Sequence, residues 1–337
     1  MSTAKLYKTY NRIIKTVIVV AAVYFLYDQL FVKNTVAELS ASLAQLISRQ
    51  RFLWFLVPVV LLMPVNWLLE ALKWKLVVAA KEKISLATAL KAVFAGTTIS
   101  SISVNRTGEF LGRIFVLKKY SFWEGAVVTI VGSYAQTFNT FLWGIVSAFA
   151  LSLPLSGKLD VINSGAFYLI FIALLLGLAA ALFFYYKISW INKLIPAAWK
   201  RVRKIIAILR NIDNKTLSAV MLLSALRYLV FSTQFYILLR GALVEINYPS
   251  GLMLISVMFL FNSIRPSVAL VEVGLRSASA LLIFELYYKN ILATDWYPQT
   301  EVVAVTSFIW LINIVLPAII GLLFIKDLQF FKKENNL

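Results

Sequence analysis

The sequence predicts an all-α polytopic membrane protein with about six full transmembrane helices and two re-entrant helical hairpins in an inverted repeat. Of the 337 residues, 61% are hydrophobic, whereas soluble domains are typically about 45–50% apolar. The apolar residues fall into runs of the length that a helix needs to cross a bilayer, about 20 residues. The formal net charge of +18 is concentrated in short segments between these runs. That distribution is typical of cytoplasmic loops and argues against a nucleic-acid partner.

The residue types that are missing exclude several classes of chemistry. The chain has no Cys and no His. Without thiols there are no disulfides and no thiolate metal sites, and without His the usual general base and the commonest metal ligand are lost. We therefore expect no metal, no cofactor and no enzymatic activity.

The apolar runs predict six spans. In chain order they are residues 13–32, 52–72, 123–153, 166–186, 217–239 and 302–325. Basic residues precede the first span with no acid among them, and Lys326 follows the last. Because positive charge marks the cytoplasmic side, we expect a multi-pass protein of the cell (inner) membrane with both termini in the cytoplasm. A short interfacial helix is expected over residues 39–47.

Two further stretches predict re-entrant hairpins. Residues 84–104 are long enough to span, but a span would carry the basic residues that follow to the outside, against the charge rule. We expect a hairpin from the cytoplasm that includes residues 106–113, and a true span stays open as the alternative. Residues 251–264 and 277–288 are too short to span comfortably and predict a second hairpin that enters from outside.

These elements form two units of opposite orientation, residues 52–153 and 216–325. The span 166–186 joins them, followed by residues 187–215, which carry eight basic residues and one acid. The pattern of that segment predicts a basic amphipathic helix on the cytoplasmic membrane surface. Inverted repeats with broken helices that meet near the membrane midplane are the architecture of many secondary transporters.

Each half carries a charged cluster at membrane depth. Arg106, Glu109 and Arg113 are spaced so that they share one helix face, and Glu109 stands four residues before Arg113, the favourable order for an ion pair. The second half repeats the pattern with Glu272 and Arg276. Ionisable residues inside a membrane are functional by default.

The arginines of both clusters are suited to phosphate, which a guanidinium binds with two parallel hydrogen bonds. The glutamates would hold the arginines in place or meet a cationic headgroup, and the glycines would permit close backbone approach. The candidate substrate-binding residues are Arg106, Gly108, Glu109, Arg113, Arg265, Glu272, Gly274 and Arg276. A purely structural role, in which the Glu–Arg pairs lock the hairpins to the bundle, stays open. Arg227 faces the cavity or neutralises Glu272 or Glu109.

The two motifs resemble the lysylphosphatidylglycerol synthase transmembrane-region family. The first half matches its Arg-x-Gly-Glu-x-x-x-Arg pattern with Arg106-x-Gly108-Glu109-x-x-x-Arg113. The second half matches its proline and glycine turn with Pro266 and then Gly274-Leu275-Arg276, but has Ser277 where a Glu is common and Glu272 where a Gly is common. The resemblance implies a flippase-like membrane domain that stands alone, without the synthase domain.

We therefore expect a lipid translocator that moves an anionic phospholipid or a polyprenyl-phosphate-linked lipid between leaflets. Its partners would be membrane lipids with anionic headgroups, together with a second copy of the chain or envelope-assembly proteins. Two alternatives stay open. One is a non-transporting accessory subunit of envelope glycolipid or polysaccharide assembly, and the other is an intramembrane lipid-modifying transferase.

Overall fold

The computed structural model describes residues 3–27, 46–48, 50–103, 107–155, 165–190, 193, 195–264 and 272–328, and within these residues it contains helices and no strand. The helices of the described residues are α1 (Thr3–Tyr27), α2 (Gln50–Val78), α3 (Leu86–Ser101), α4 (Gly108–Ile114), α5 (Phe122–Ser152), α6 (Gly165–Tyr186), α7 (Lys200–Ile206), α8 (Asn214–Gly241), α9 (Tyr248–Ile264), α10 (Glu272–Asn290) and α11 (Gln299–Leu322).

Four helices are long and apolar enough to cross a membrane, namely α2, α6, α8 and α11. They contain most or all of the predicted spans 52–72, 166–186, 217–239 and 302–325, which confirms a helical chain with several candidate membrane spans. The predicted spans 13–32 and 123–153 fall largely on α1 and α5, which are not among these four. Residues 28–32 and most of the predicted interfacial helix 39–47 lie outside the described residues.

The antiparallel pair α2 and α8 forms the centre of the bundle. Gly241, at the end of α8, packs on Phe52 near the start of α2. Further along, the Gln234 side chain donates a 2.8 Å hydrogen bond to the carbonyl of Val59. The two helices therefore run in opposite directions along most of their length.

The helix ends that carry basic segments gather at one end of the bundle. Lys81, just after α2, forms a 2.7 Å ion pair with Glu124 in the first turn of α5. The Glu82 carboxylate accepts hydrogen bonds from the backbone N–H groups of Lys118 and Lys119. These contacts join the segment that follows α2 to the segment that precedes α5.

Helices α3 and α4 form a tight hairpin. Ser85 caps α3 by accepting a hydrogen bond from the N–H of Thr88. A Cβ added to Gly112 would lie 2.3 Å from the Cα of Gly96, so the two backbones touch at this point. With 16 residues, α3 is about 24 Å long, shorter than the roughly 30 Å of a hydrocarbon core.

Helices α9 and α10 form a second pair. The Ser279 hydroxyl of α10 donates a 2.7 Å hydrogen bond to the Asn262 side chain of α9. Helix α9 has 17 residues, which makes it about 26 Å long. The residues that join α9 to α10 lie outside the described ones.

Three predicted boundaries are wrong. Helix α2 does not end at residue 72 but continues through Lys73 to Val78, and Lys73 is 1% exposed because it has a carboxylate partner inside the bundle. The segment 187–215 is not one amphipathic helix; its described residues contain 3₁₀ turns at Ile188–Trp190 and Ala207–Asn211 around the short α7. The apolar piece predicted at 277–288 belongs to α10, which begins at Glu272 and has 19 residues.

Candidate functional site

A buried carboxylate, Glu70 of α2, forms the centre of a charge network. Its side chain is 4% exposed. One oxygen lies 2.6 Å from the ammonium of Lys73, one turn further along α2, and 3.1 Å from the guanidinium of Arg227 on α8. The other oxygen lies 2.8 Å from the guanidinium of Arg113 on α4. Glu70 therefore connects the first hairpin to the central helix of the second half.

The hairpin geometry brings Arg113 to this position. Arg113 is 2% exposed and also pairs with Glu109, four residues earlier on α4, as the spacing predicts. Close contact of Gly112 with Gly96 and of Gly108 with Ile99 brings α4 against α3. The glycines thus serve helix–helix contact, and larger residues there would move Arg113 away from Glu70.

Counted over the described residues, the network carries an excess of positive charge. It contains the cations Lys73, Arg113 and Arg227 and the carboxylates Glu70 and Glu109, so its formal charge is +1 when all five groups are ionised. Uncompensated charge is expensive in a low-dielectric interior. An anion bound next to one of the cations would balance it.

A cavity of about 240 Å³ adjoins the network, and Arg227 lies in its wall. The remaining lining residues are Asn66, Trp67, Gln136, Thr140, Tyr228, Phe231, Phe259, Asn262, Ser263, Arg276, Asn313 and Ile314. Asn66, Gln136, Arg227 and Asn313 lie near the middles of α2, α5, α8 and α11. The cavity is therefore at the mid-length of four long helices.

Hydrogen bonds and a cation–π contact join side chains that line the cavity. The Arg227 guanidinium donates a 3.3 Å hydrogen bond to Gln136 and lies over the Trp67 ring, 5.4 Å from its centroid. The Asn66 amide donates a 3.1 Å hydrogen bond to Asn313, as expected for an Asn within a span. Asn313 lies in a π-helical turn of α11, Leu311–Val315, and such turns are frequent at functional sites.

The structure brings only part of the predicted set together. Glu109 and Arg113 join the Glu70 network, with Gly108 in the hairpin contact, and Arg276 lines the cavity. Gly274 is exposed, and a Cβ added there would meet nothing within 4 Å, so no contact within the described structure requires a glycine. Arg106 and Arg265 lie outside the described residues, as does the side chain of Glu272.

Glu70 and Lys73 were not predicted from the sequence as members of the site. For Arg227 two roles were left open, namely to face the cavity or to neutralise Glu272 or Glu109. Arg227 both lines the cavity and pairs with a carboxylate, but that carboxylate is Glu70. A signal for Glu70 was present, because it is an acid three residues before a Lys at the end of an apolar run. Within the described residues no three His, Cys, Asp or Glu side chains gather as a metal site would require.

Comparisons with models of protein families, with curated proteins and with solved structures find no match to this chain.

Proposed function

We propose that this protein is a lipid translocator that moves a lipid with an anionic, phosphate-containing headgroup between the leaflets of the cell (inner) membrane. The observation that carries the proposal is the excess positive charge of the Glu70 network, which reaches a mid-depth cavity through Arg227. Arg276 adds a second guanidinium to the same wall. A headgroup phosphate would balance this charge and form the paired hydrogen bonds that guanidinium groups favour.

The size of the cavity fits a headgroup better than a whole lipid. Its volume of about 240 Å³ lies below the roughly 300–1,000 Å³ of pockets that enclose drug-sized ligands. The exposed Ser263 at the C-terminal end of α9 is part of its lining. The acyl chains would remain in the bilayer while the headgroup crosses inside the protein.

We also propose an inverted repeat in which α2–α5 correspond to α8–α11, an architecture found in many secondary transporters. The amide pair between α2 and α11, Asn66 with Asn313, has a counterpart between α8 and α5, Arg227 with Gln136. In this correspondence Asn66 matches Arg227, and Gln136 matches Asn313. All four residues line the cavity, so the site would lie on the pseudo-two-fold axis.

Close glycine contacts follow the same correspondence. Gly144 of α5 packs on Leu260 of α9, and Gly321 of α11 packs on Thr98 of α3. Gly144 and Gly321 are separated along the sequence by the same number of residues as Gln136 and Asn313. The two contacts are therefore equivalent under exchange of the halves, which chance packing does not require.

The hairpins also correspond. Ser85 caps α3, and Asn247 accepts the equivalent hydrogen bond from the N–H of Ser250 at the start of α9. The Glu109–Arg113 spacing on α4 recurs as Glu272 and Arg276 on α10. We infer that α3–α4 and α9–α10 are re-entrant hairpins that enter from opposite sides, and that the chain alternates access by moving one half against the other.

A leaflet-resolved lipid assay tests this function. The protein is reconstituted into proteoliposomes with fluorescent phosphatidylglycerol or a fluorescent polyprenyl phosphate, and an impermeant quencher reports which leaflet holds the lipid. Arg227→Gln should slow movement by roughly tenfold or more, because it removes a charge-assisted contact. Arg240→Gln, in the last turn of the same helix, is the matched control and should retain the wild-type rate.

The other outcomes separate the alternatives. Equal rates for Arg227→Gln and Arg240→Gln would remove the cavity from the lipid path. A chemically altered lipid would favour a lipid-modifying transferase. Folded protein that moves neither lipid would overturn the proposal and favour an accessory role in envelope assembly.

A further inference from the structure

The proposed repeat assigns a counterpart to each member of the Glu70 network. The shift that relates Asn66 to Arg227 along α2 and α8 also relates Glu70 to Phe231. The recurring Glu-x-x-x-Arg spacing relates Arg113 to Arg276. In the first half, Arg113 and Glu70 form an ion pair at 2.8 Å. The corresponding residues of the second half are Arg276 and Phe231.

Phe231 and Arg276 line the same cavity. The first half supplies a carboxylate at the position beside its arginine, and the second half supplies a phenyl ring at the equivalent position. The ring stacks on Phe259 of α9, with centroids 5.1 Å apart. The cavity therefore adjoins the position that corresponds to the Glu70 carboxylate in the proposed repeat.

We propose that the headgroup phosphate binds beside Arg276, at the place equivalent to the Glu70 carboxylate. This assignment rests on the proposed function and names the part of the cavity that the anion occupies. In the proposed repeat Asn66 corresponds to Arg227. Asn66 also lines the cavity, and its side-chain amide is a potential hydrogen-bond donor to the phosphate. The ligand class is therefore a phosphate mono- or diester that replaces a carboxylate in an arginine-centred network, with Arg227 as its second cation.

The proposal makes a specific prediction for Phe231→Glu. A resident carboxylate at this position would complete the network of the second half and would compete with the bound phosphate. Phe231→Gln is the matched control, because both variants lose the ring and its contact with Phe259 and only one gains a charge. Binding of a fluorescent short-chain phosphatidylglycerol to the detergent-solubilised protein should be at least roughly tenfold weaker for Phe231→Glu than for Phe231→Gln.

A second variant guards against a folding failure. Asn262→Asp changes charge with almost no change of shape in the same cavity wall and should also weaken phosphatidylglycerol binding relative to wild type. A structural role for Phe231 would weaken both of its variants equally. Equal affinities of Phe231→Glu and Phe231→Gln, or unchanged binding by Asn262→Asp, would overturn the proposed phosphate position.

The outcome of this test is independent of whether lipid crosses the membrane. If wild type moves lipid but the two Phe231 variants bind alike, the phosphate position is wrong and translocation stands. If wild type binds phosphatidylglycerol, Phe231→Glu loses it and no lipid moves in proteoliposomes, then the anion site stands and translocation is wrong.

Discussion

Replacing Gly112 with Ala should force α3 and α4 apart and destabilise the protein. The new methyl carbon would lie 2.3 Å from both the Cα and the N of Gly96, whereas non-bonded carbons rest about 3.5–4.0 Å apart. The backbones must therefore separate by more than about 1 Å, because no flexible side chain can yield in their place. Overpacking of this kind costs about 1–3 kcal/mol of unfolding free energy.

The same displacement should reach the charge network. Arg113 follows Gly112 directly, and its guanidinium lies 2.8 Å from Glu70. A shift of α4 would lengthen this contact and leave two buried charges less well paired. We therefore expect Gly112→Ala to lower both the unfolding temperature in detergent and the rate of lipid movement in proteoliposomes.

Gly177→Ala is the control for this experiment. Gly177 lies within α6, and a Cβ added there meets nothing within 4 Å. Alanine in that helix should be neutral or slightly stabilising. If Gly112→Ala and Gly177→Ala unfold at the same temperature, the close contact of α3 with α4 does not exist in the protein and does not hold Arg113 beside Glu70.

Two further predictions concern stability. In a double-mutant cycle, Asn66→Ala and Asn313→Ala should show a coupling of about 0.6 kcal/mol, with a ceiling near 1.7 kcal/mol, as for other polar contacts between membrane helices; zero coupling in thermal unfolding would contradict the contact. At the N-terminus of α8, hydrogen bonds from the hydroxyl and N–H of Thr216 hold the pKa of Asp213 below its ordinary value of 3.8. This cap stabilises the folded protein fully at pH values above 3.8, and the stabilisation is lost as the pH falls through the lower pKa of the folded state. Between neutral pH and about pH 3, wild type should therefore lose more unfolding free energy than Asp213→Asn.

Local features of the site were accessible from the sequence because they depend on spacing within one helix. The Glu109–Arg113 pair follows from the i,i+4 geometry of a helix, and it is present in the structure. The apolar runs likewise located the four long candidate spans. The close packing of α4 on α3 also has a local signal in the sequence, the glycines Gly108 and Gly112.

The Glu70 network was not accessible in this way because it joins three helices that are distant along the chain. Lys73 ended the predicted span because a charge after an apolar run usually marks the membrane surface. In the structure the ammonium is buried, since Glu70 lies one turn away and supplies the opposite charge. Whether such a residue faces lipid, water or a partner is decided by packing between helices, which hydropathy does not contain.

The proposed repeat also suggests why the two halves carry different chemistry on a similar backbone. At equivalent positions the first half has Glu70 and Lys73, and the second has Phe231 and Gln234, whose amide donates to Val59. Under the proposed correspondence, a carboxylate at position 231 would add negative charge to the cavity wall and weaken its attraction for an anion. If the first half lacked Glu70, Arg113 and Arg227 would lose the carboxylate that they share, at the high cost of uncompensated buried charge. Under the proposed function, Glu70 stabilises Arg113 and Arg227 inside the bundle, and the corresponding position of the second half is where the lipid phosphate would bind.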